Sequence, residues 1–229
     1  MRKIRLQKEQ EGADGDAFTL SISDLMAGLL AIFILALSYF MLNLGEVTNQ
    51  YTGNTEKRNE LLEDMQQDMA NRGVKVTIDK KQGVLRIPES VLFAQGEAVI
   101  KPEGQYAVNS LSQVLYETLM EEKYAHAVET VFIEGHTDNV PIETPEFHSN
   151  WELSTQRAIN TWNLMRTDQE ALNTIANANG QPVFSCSGYA ETRPITDDPY
   201  DENSEEGRAA NRRIDIRVTM MPPATPGNE

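Results

Sequence analysis

The chain has 229 residues, a formal net charge of −15 and a pI of about 4.6. That acidity excludes the basic footprint on which nucleic-acid binding rests, so no nucleic-acid partner is expected. Cys186 is the only cysteine, which excludes an intrachain disulfide.

Residues 1–16 are polar, contain Gly12 and Gly15, and read as a short mobile tail. From Ala17 to Gly45 the only charged residue is Asp24. A hydrocarbon core about 30 Å thick needs about 20 apolar residues at about 1.5 Å rise each, and Leu25 to Leu44 supplies them. The segment 17–45 is therefore predicted to be one transmembrane helix. The apolar run is too long for a signal peptide, and Asn43-Leu44-Gly45-Glu46 is a poor cleavage site. Arg2, Lys3, Arg5 and Lys8 precede the span and Glu46 follows it, so the N-terminus should be cytoplasmic and the remainder outside.

An ionised Asp in a spanning helix costs about 3 kcal/mol. Asp24 could sit at the headgroup boundary and do nothing, or it could carry a proton or cation. Ser21 and Ser23 flank it, and Phe18, Leu20 and Ile22 precede it, so the apolar helix begins before the acid. At 3.6 residues per turn Asp24 shares a face with Ala27, Gly28, Ala31, Leu35 and Ser38, a mostly small surface suited to close helix packing in lipid. Leu25, Leu29, Ile32, Phe33, Ala36 and Phe40 occupy the opposite face. This pattern favours the carrier reading.

Residues 46–73 read as a connecting segment: 46–54 is a linker or the extended end of the span. Thr55 to Asn71 is a helix with Leu61, Leu62, Met65 and Met69 at helical spacing, stopped by Arg72-Gly73. It could pair with a second copy or form a plug. A folded domain is expected over 74–220, about 150 residues and enough for a real core. Val74, Val76 and Ile78 alternate with polar residues, turn at Lys81-Gln82-Gly83 and return through Val84, Leu85 and Ile87 as a hairpin. A loop over Phe93 to Ile100 leads to a helix opened by Pro102 and reaching about Tyr124. A strand over Val128 to Glu134, a loop over His136 to Asn150 and a helix from Trp151 to about Met165 follow. A weaker helix over Asp168 to Asn179, a strand at Val183, Ser185 and Ser187, and an acidic loop over Glu191 to Gly207 come next. Ile214, Ile216 and Val218 mark a last strand, and 221–229 is a frayed tail. Alternating strands and helices after a hairpin imply an α+β domain, a mixed sheet covered by helices.

Three stretches concentrate polar residues where elements meet loops: Glu134 to Asp138, Asn150 to Arg157, and Asn211-Arg212-Arg213. Asp138 and Arg157 could converge at one end of the sheet. An acid beside a forked cation suits an amino-acid head group with its ammonium and carboxylate, or else forms a structural salt bridge. His136, Asp138 and Ser154 lack a nucleophile elbow, so no enzymatic triad is expected. His126, His136 and His148 lack metal-ligand spacing, and Trp151 and Trp162 read as core anchors.

Gly135-His136-Thr137-Asp138-Asn139-Val140-Pro141-Ile142, then Asn150-Trp151-Glu152-Leu153-Ser154 to Arg157-Ala158, then Asn211-Arg212-Arg213-Ile214, resemble the OmpA-like peptidoglycan-binding domain in its MotB form. The resemblance spans about Val74 to Met220 and rests on three separated motifs in order. It implies an OmpA-like βαβ-type domain that is not an enzyme. It also implies that Asp138 binds the ammonium of a diaminopimelate side chain and Arg157 its carboxylate. Thr137, Asn150, Leu153, Asn211, Arg212 and Arg213 would complete the site.

A span with one Asp followed by such a domain resembles the B subunit of ion-driven rotary stators. Ser23-Asp24-Leu25-Met26-Ala27-Gly28 and the short connection look most like ZorB proteins of Zorya anti-phage systems, and depart from flagellar MotB. The resemblance implies Asp24, supported by Ser21 and Ser23, as the ion carrier, the transported ion being a proton. No cofactor is implied. A self-dimer inside a pentamer of a MotA- or ZorA-like multi-span subunit, in the bacterial inner membrane with the domain in the periplasm, is the implied assembly. A flagellar stator and a passive wall anchor are the alternative readings.

Overall fold

The computed structural model describes residues 2–195 and 201–222, with side chains from Thr19 onward except that of Leu20. The chain divides into two compact units, Met1–Tyr51 and Thr52–Glu229.

Helix α1 (Arg2–Asn71) runs through both. Residues 2–16, expected as a mobile tail, and 46–54, expected as a linker or helix extension, are helical. Extending an existing helix by one residue is far less costly than nucleating a new one, and no proline interrupts this stretch. Among the described residues, the helical stretch Ser21–Asn71 is long and apolar enough to cross a membrane. Leu25, Ile32, Phe33 and Phe40 are each more than 60% exposed, as lipid-facing or partner-facing side chains would be. Ser23 Oγ donates to the Thr19 carbonyl at 2.8 Å, a local bond that satisfies its hydroxyl within the helix.

The second unit begins earlier than the residue pattern suggested. Leu61, Leu62, Met65 and Met69 are fully buried in the main core, so the segment expected as a separate linker or plug is part of the domain. Asp64 fixes it further, pairing with Lys123 at 2.7 Å and accepting from the Tyr124 hydroxyl at 2.8 Å. Gly73 ends α1 in the left-handed region at φ +78°, with the Val74 amide donating back to the Met69 carbonyl.

Strands β1 (Thr77–Asp79) and β2 (Val84–Pro88) form the hairpin, closed by Asp79 Oδ1 accepting from the Lys81 and Gln82 amides. Val74 and Val76 are buried but precede β1. Helix α2 (Glu89–Leu92), not expected from the sequence, follows directly, then α3 (Pro102–Met120), β3 (Val128–His136) and α4 (Asn150–Asp168). The weaker helix is a single 3-10 turn, Glu170–Thr174. Strand β4 (Phe184–Gly188), helix α5 (Glu205–Asn211) and β5 (Arg213–Met220) complete the unit. Helix α5 corrects the acidic-loop reading of 191–207 at its end: Ser204 caps it by accepting from the Gly207 amide. Residues 196–200 of that loop, and 223–229 of the expected tail, lie outside the described residues.

The sheet has order β1-β2-β5-β3-β4, with β3 and β4 parallel and the other pairs antiparallel. Leu85, Ile87, Val131, Ile133, Ile214, Ile216 and Val218 alternate onto the core face with α1, α3 and α4 side chains. The intervening residues Arg86, Glu134, His136, Arg213, Asp215 and Arg217 share the other face. Trp162 stacks on Phe184 at 4.5 Å, whereas Trp151 is 50% exposed and anchors no core.

Candidate functional site

The site grows out of strand register. Arg213, at the start of β5, lies opposite Pro88, at the end of β2, and opposite His136, at the end of β3. The residues one or two steps beyond these strand ends, Glu89, Arg212, Thr137 and Asp138, are therefore delivered to one edge of the sheet. Helix α4 arrives at the same edge because two glycines let it approach. A Cβ on Gly135 would stand 2.0 Å from the Ser154 carbonyl oxygen, and one on Gly188 would stand 2.2 Å from Thr155 Oγ1. Ser149 caps α4 by accepting from the Glu152 amide, and the Glu152 carboxylate accepts from the His148 amide. With the start so fixed, Asn150, Leu153 and Arg157 fall on one face.

These elements enclose a cavity of about 380 Å³ lined by Thr137, Asp138, Val140, Pro141, Ile142, Asn150, Leu153, Arg157, Arg208 and Arg212, with Glu89, Gln95, Gly96, Thr144 and Glu205. Asp138 and Arg157 both face it, but they do not pair with each other among the described residues. Asp138 Oδ2 accepts from Arg212 Nη1 at 2.6 Å, and its Oδ1 accepts from the Val140 amide at 3.1 Å. Arg212 Nε lies 2.9 Å from Glu89 Oε2, and Glu89 Oε1 pairs with Arg157 Nη2. The four charges thus alternate in a row: Asp138, Arg212, Glu89, Arg157. Arg157 is 2% exposed, donates Nε to the Glu97 carbonyl at 2.8 Å and lies over the Phe93 ring at 5.2 Å. Burial pulls the Arg157 pKa down and Glu89 opposes it, yet a guanidinium remains charged in any protein. For Arg212 burial is outweighed by Asp138 and Glu205, and its pKa is raised.

Asn150 holds the loop over the cavity, donating Nδ2 to the Val140 carbonyl and to Glu191 Oε2, both at 3.1 Å. Thr137 Oγ1 donates to the Asp138 carbonyl at 2.9 Å. Leu153 gives the floor an apolar patch with Phe147 and Ala98. Two residues named from the sequence are turned elsewhere. Asn211 Oδ1 accepts from the Ile195 amide at 2.8 Å, and Arg213 is buried against Asp215 at 3.0 Å on the sheet's second face. Neither lines the cavity, and each shapes the edge from behind. Glu89 was missed by the sequence reading. An acid after Ile87-Pro88 carries no local signal, because its partners Arg157 and Arg212 are 68 and 123 positions away.

Glu134, His136 and Asp215 place ligand atoms within 4.8 Å of one another, a spacing a metal could use. Their carboxylate charges are already matched by cations, although Asp215 Oδ1 and both His136 nitrogens accept or donate no hydrogen bond among the described residues. Arg217 grips Glu134 with two bonds of 2.9 Å, and Arg213 and Arg86 flank Asp215. Arg86 also pairs with Asp79, so three arginines meet three acids and leave no charge for a dication to neutralise. Burial opposes the Glu134 charge, but His136 and Arg217 outweigh it and hold its pKa to about 2. The His136 contact is 3.8 Å, longer than a hydrogen bond, so the Arg217 fork carries most of that effect. Burial lowers the His136 pKa and keeps the ring neutral, stacked under Tyr189. Ser154 Oγ donates to the Trp151 carbonyl and accepts from the Ala190 amide, which leaves it no place in a nucleophilic triad.

Residues 92–212 match the OmpA family, more than half of the chain. The chain belongs to the OmpA family. The family match contains α3, β3, α4 and β4, and it holds every cavity-lining residue except Glu89. Motility protein B of Bacillus subtilis (strain 168) is 30% identical over 59% of this chain and 44% of its own length. The protein YtxE of the same organism is 31% identical over 61% of this chain and 49% of its own. The chain thus spans about half the length of these relatives. A putative MotB-like protein from Desulfovibrio vulgaris superposes with a TM-score of 0.55 at 23% identity, over 74% of this chain and 98% of that one. That likeness establishes the fold of the OmpA domain alone.

Proposed function

We infer that this chain is a membrane-anchored, peptidoglycan-binding B subunit of a proton-driven rotary stator, of the ZorB type found in anti-phage defence. The observation that carries the reading is the pairing of two features in one chain. A membrane-length apolar helix has a single acid near its start, and an OmpA domain has a cavity with separated opposite charges. A diaminopimelate side chain ends in an ammonium and a carboxylate. Asp138 offers an acceptor for the first and Arg157 a donor for the second, while Leu153 and Ile142 cover the intervening methylenes. Asn150 and Thr137 hold the Asp138 loop, and Arg212 steadies the Asp138 carboxylate.

With the N-terminus cytoplasmic, the OmpA domain lies in the periplasm and grips the wall. A dimer of the span passes through a ring of multi-span subunits. Asp24 alternately gains and loses a proton at the seam, and the membrane potential contributes about 2.3 kcal/mol per charge per 100 mV to each passage. The wall contact gives that ring a fixed point to turn against. The test is co-expression with the adjacent multi-span membrane protein and a proton-flux assay. Asp24→Asn should abolish flux while the complex still purifies intact, and unchanged function in that variant would leave only a passive anchor. The likeness to Motility protein B favours a flagellar stator as the second reading. Restored swimming in a motile host lacking its own B subunit, without phage protection, would select it.

A further inference from the structure

The inner four charges of the cavity sum to zero: Asp138 and Glu89 against Arg157 and Arg212. Glu89 is the member that nothing in the motifs points to, and it is the most constrained acid of the set. It is 6% exposed, its amide donates to the Arg212 carbonyl at 2.9 Å, and its two carboxylate oxygens go to two different arginines. Its backbone and side chain are therefore both locked to the same partner, Arg212. Among the described residues Arg157 Nη1 has no hydrogen-bond partner, so one donor of that guanidinium is left for a ligand.

Removing the Glu89 charge would leave the four at +1 around the cavity, two of them on buried or half-buried arginines. An uncompensated buried charge is costly and favours an incoming anion. With Glu89 ionised, the pocket is neutral but has two poles, which matches a head group that is itself neutral with two poles. We propose that Glu89 is a specificity-determining residue that keeps the cavity selective for zwitterionic side chains over those bearing only an ammonium or only a carboxylate. This deepens the peptidoglycan-binding reading and rests on it. A ligand carboxylate meets Arg157 at Nη1 while Glu89 keeps Nη2, and a ligand ammonium meets Asp138 while Arg212, bonded to Asp138 through Nη1, has its charge shared with Glu89 through Nε.

The test uses the full chain in detergent and three stem peptides whose third residue is diaminopimelate, lysine or 2-aminopimelate. Wild type should bind the first at least about tenfold more tightly than either of the others. Glu89→Gln should weaken the lysine peptide and strengthen the 2-aminopimelate peptide, moving their affinity ratio by about tenfold or more. Arg212→Gln removes the opposite charge from the same four and should move that ratio the other way, which covers the case in which Glu89→Gln fails to fold. A merely structural Glu89 would weaken all three peptides by one factor, and that result overturns the proposal. If wild type binds none of the three, the peptidoglycan reading of the cavity falls first and this inference falls with it.

Discussion

Two networks of acids and arginines belong to one sheet, one on its second face and one at its edge, and they differ in where they turn their spare capacity. On the second face, Glu134, Asp215 and Asp79 meet Arg217, Arg213 and Arg86 with Glu134 and Asp215 at most 1% exposed, under Tyr189. Around the cavity, Asp138, Glu89, Arg212 and Arg157 are paired just as directly, yet the row ends in donors and acceptors that face open space. The residue types are the same. The closed set buries even the atoms that make no hydrogen bond among the described residues, Asp215 Oδ1, Arg86 Nε and both His136 nitrogens, whereas the open set turns its spare hydrogen-bonding capacity toward the cavity.

Breaking the closed set should have the largest effect. Asp215→Asn strands Arg213 and leaves Arg86 with Asp79 alone, and it should destabilise the domain by about 3–5 kcal/mol in denaturant unfolding. Breaking the open set should cost binding instead. Asp138→Asn should weaken a diaminopimelate peptide by about 1.5–3 kcal/mol, roughly 10- to 150-fold by calorimetry, while unfolding shifts by less than about 1 kcal/mol.

Acid should separate the two networks as well. His136 is held neutral below its ordinary value of 6.5, so its contribution to stability is complete above that pH and is lost as pH falls through its depressed folded value. Glu134, held to about 2 against 4.5, contributes above 4.5 and is lost as pH falls toward 2. Unfolding free energy should therefore begin to decline below about pH 6.5, and His136→Gln should remove that first phase and leave the second. The smallest effect belongs to the rim. The Glu205 side chain, 74% exposed and 3.3 Å from Arg212, should change peptide binding by less than about 1 kcal/mol when replaced by Gln.

Much of this was legible in the residue order. The membrane span needs only a run of apolar residues without charge, and β5 needs only the alternation of Ile214, Ile216 and Val218. The motifs around Asp138, Asn150 and Arg157 all lead to residues that line the cavity. Local period and composition carry the span and the strand because both depend on residues adjacent in the chain, while the site motifs stand out by polar density and by family resemblance. Contacts between distant positions left no such trace. That Thr55 to Asn71 belongs to the domain core, that Trp151 is exposed, that Arg213 turns to Asp215 while Arg212 turns to Asp138, and that Glu89 joins the row were all decided by strand register and helix docking. An acid or an arginine reads alike in sequence whether it meets water or a partner far along the chain. Only the folded sheet, which sets Pro88, Arg213 and His136 side by side, decides which it will be.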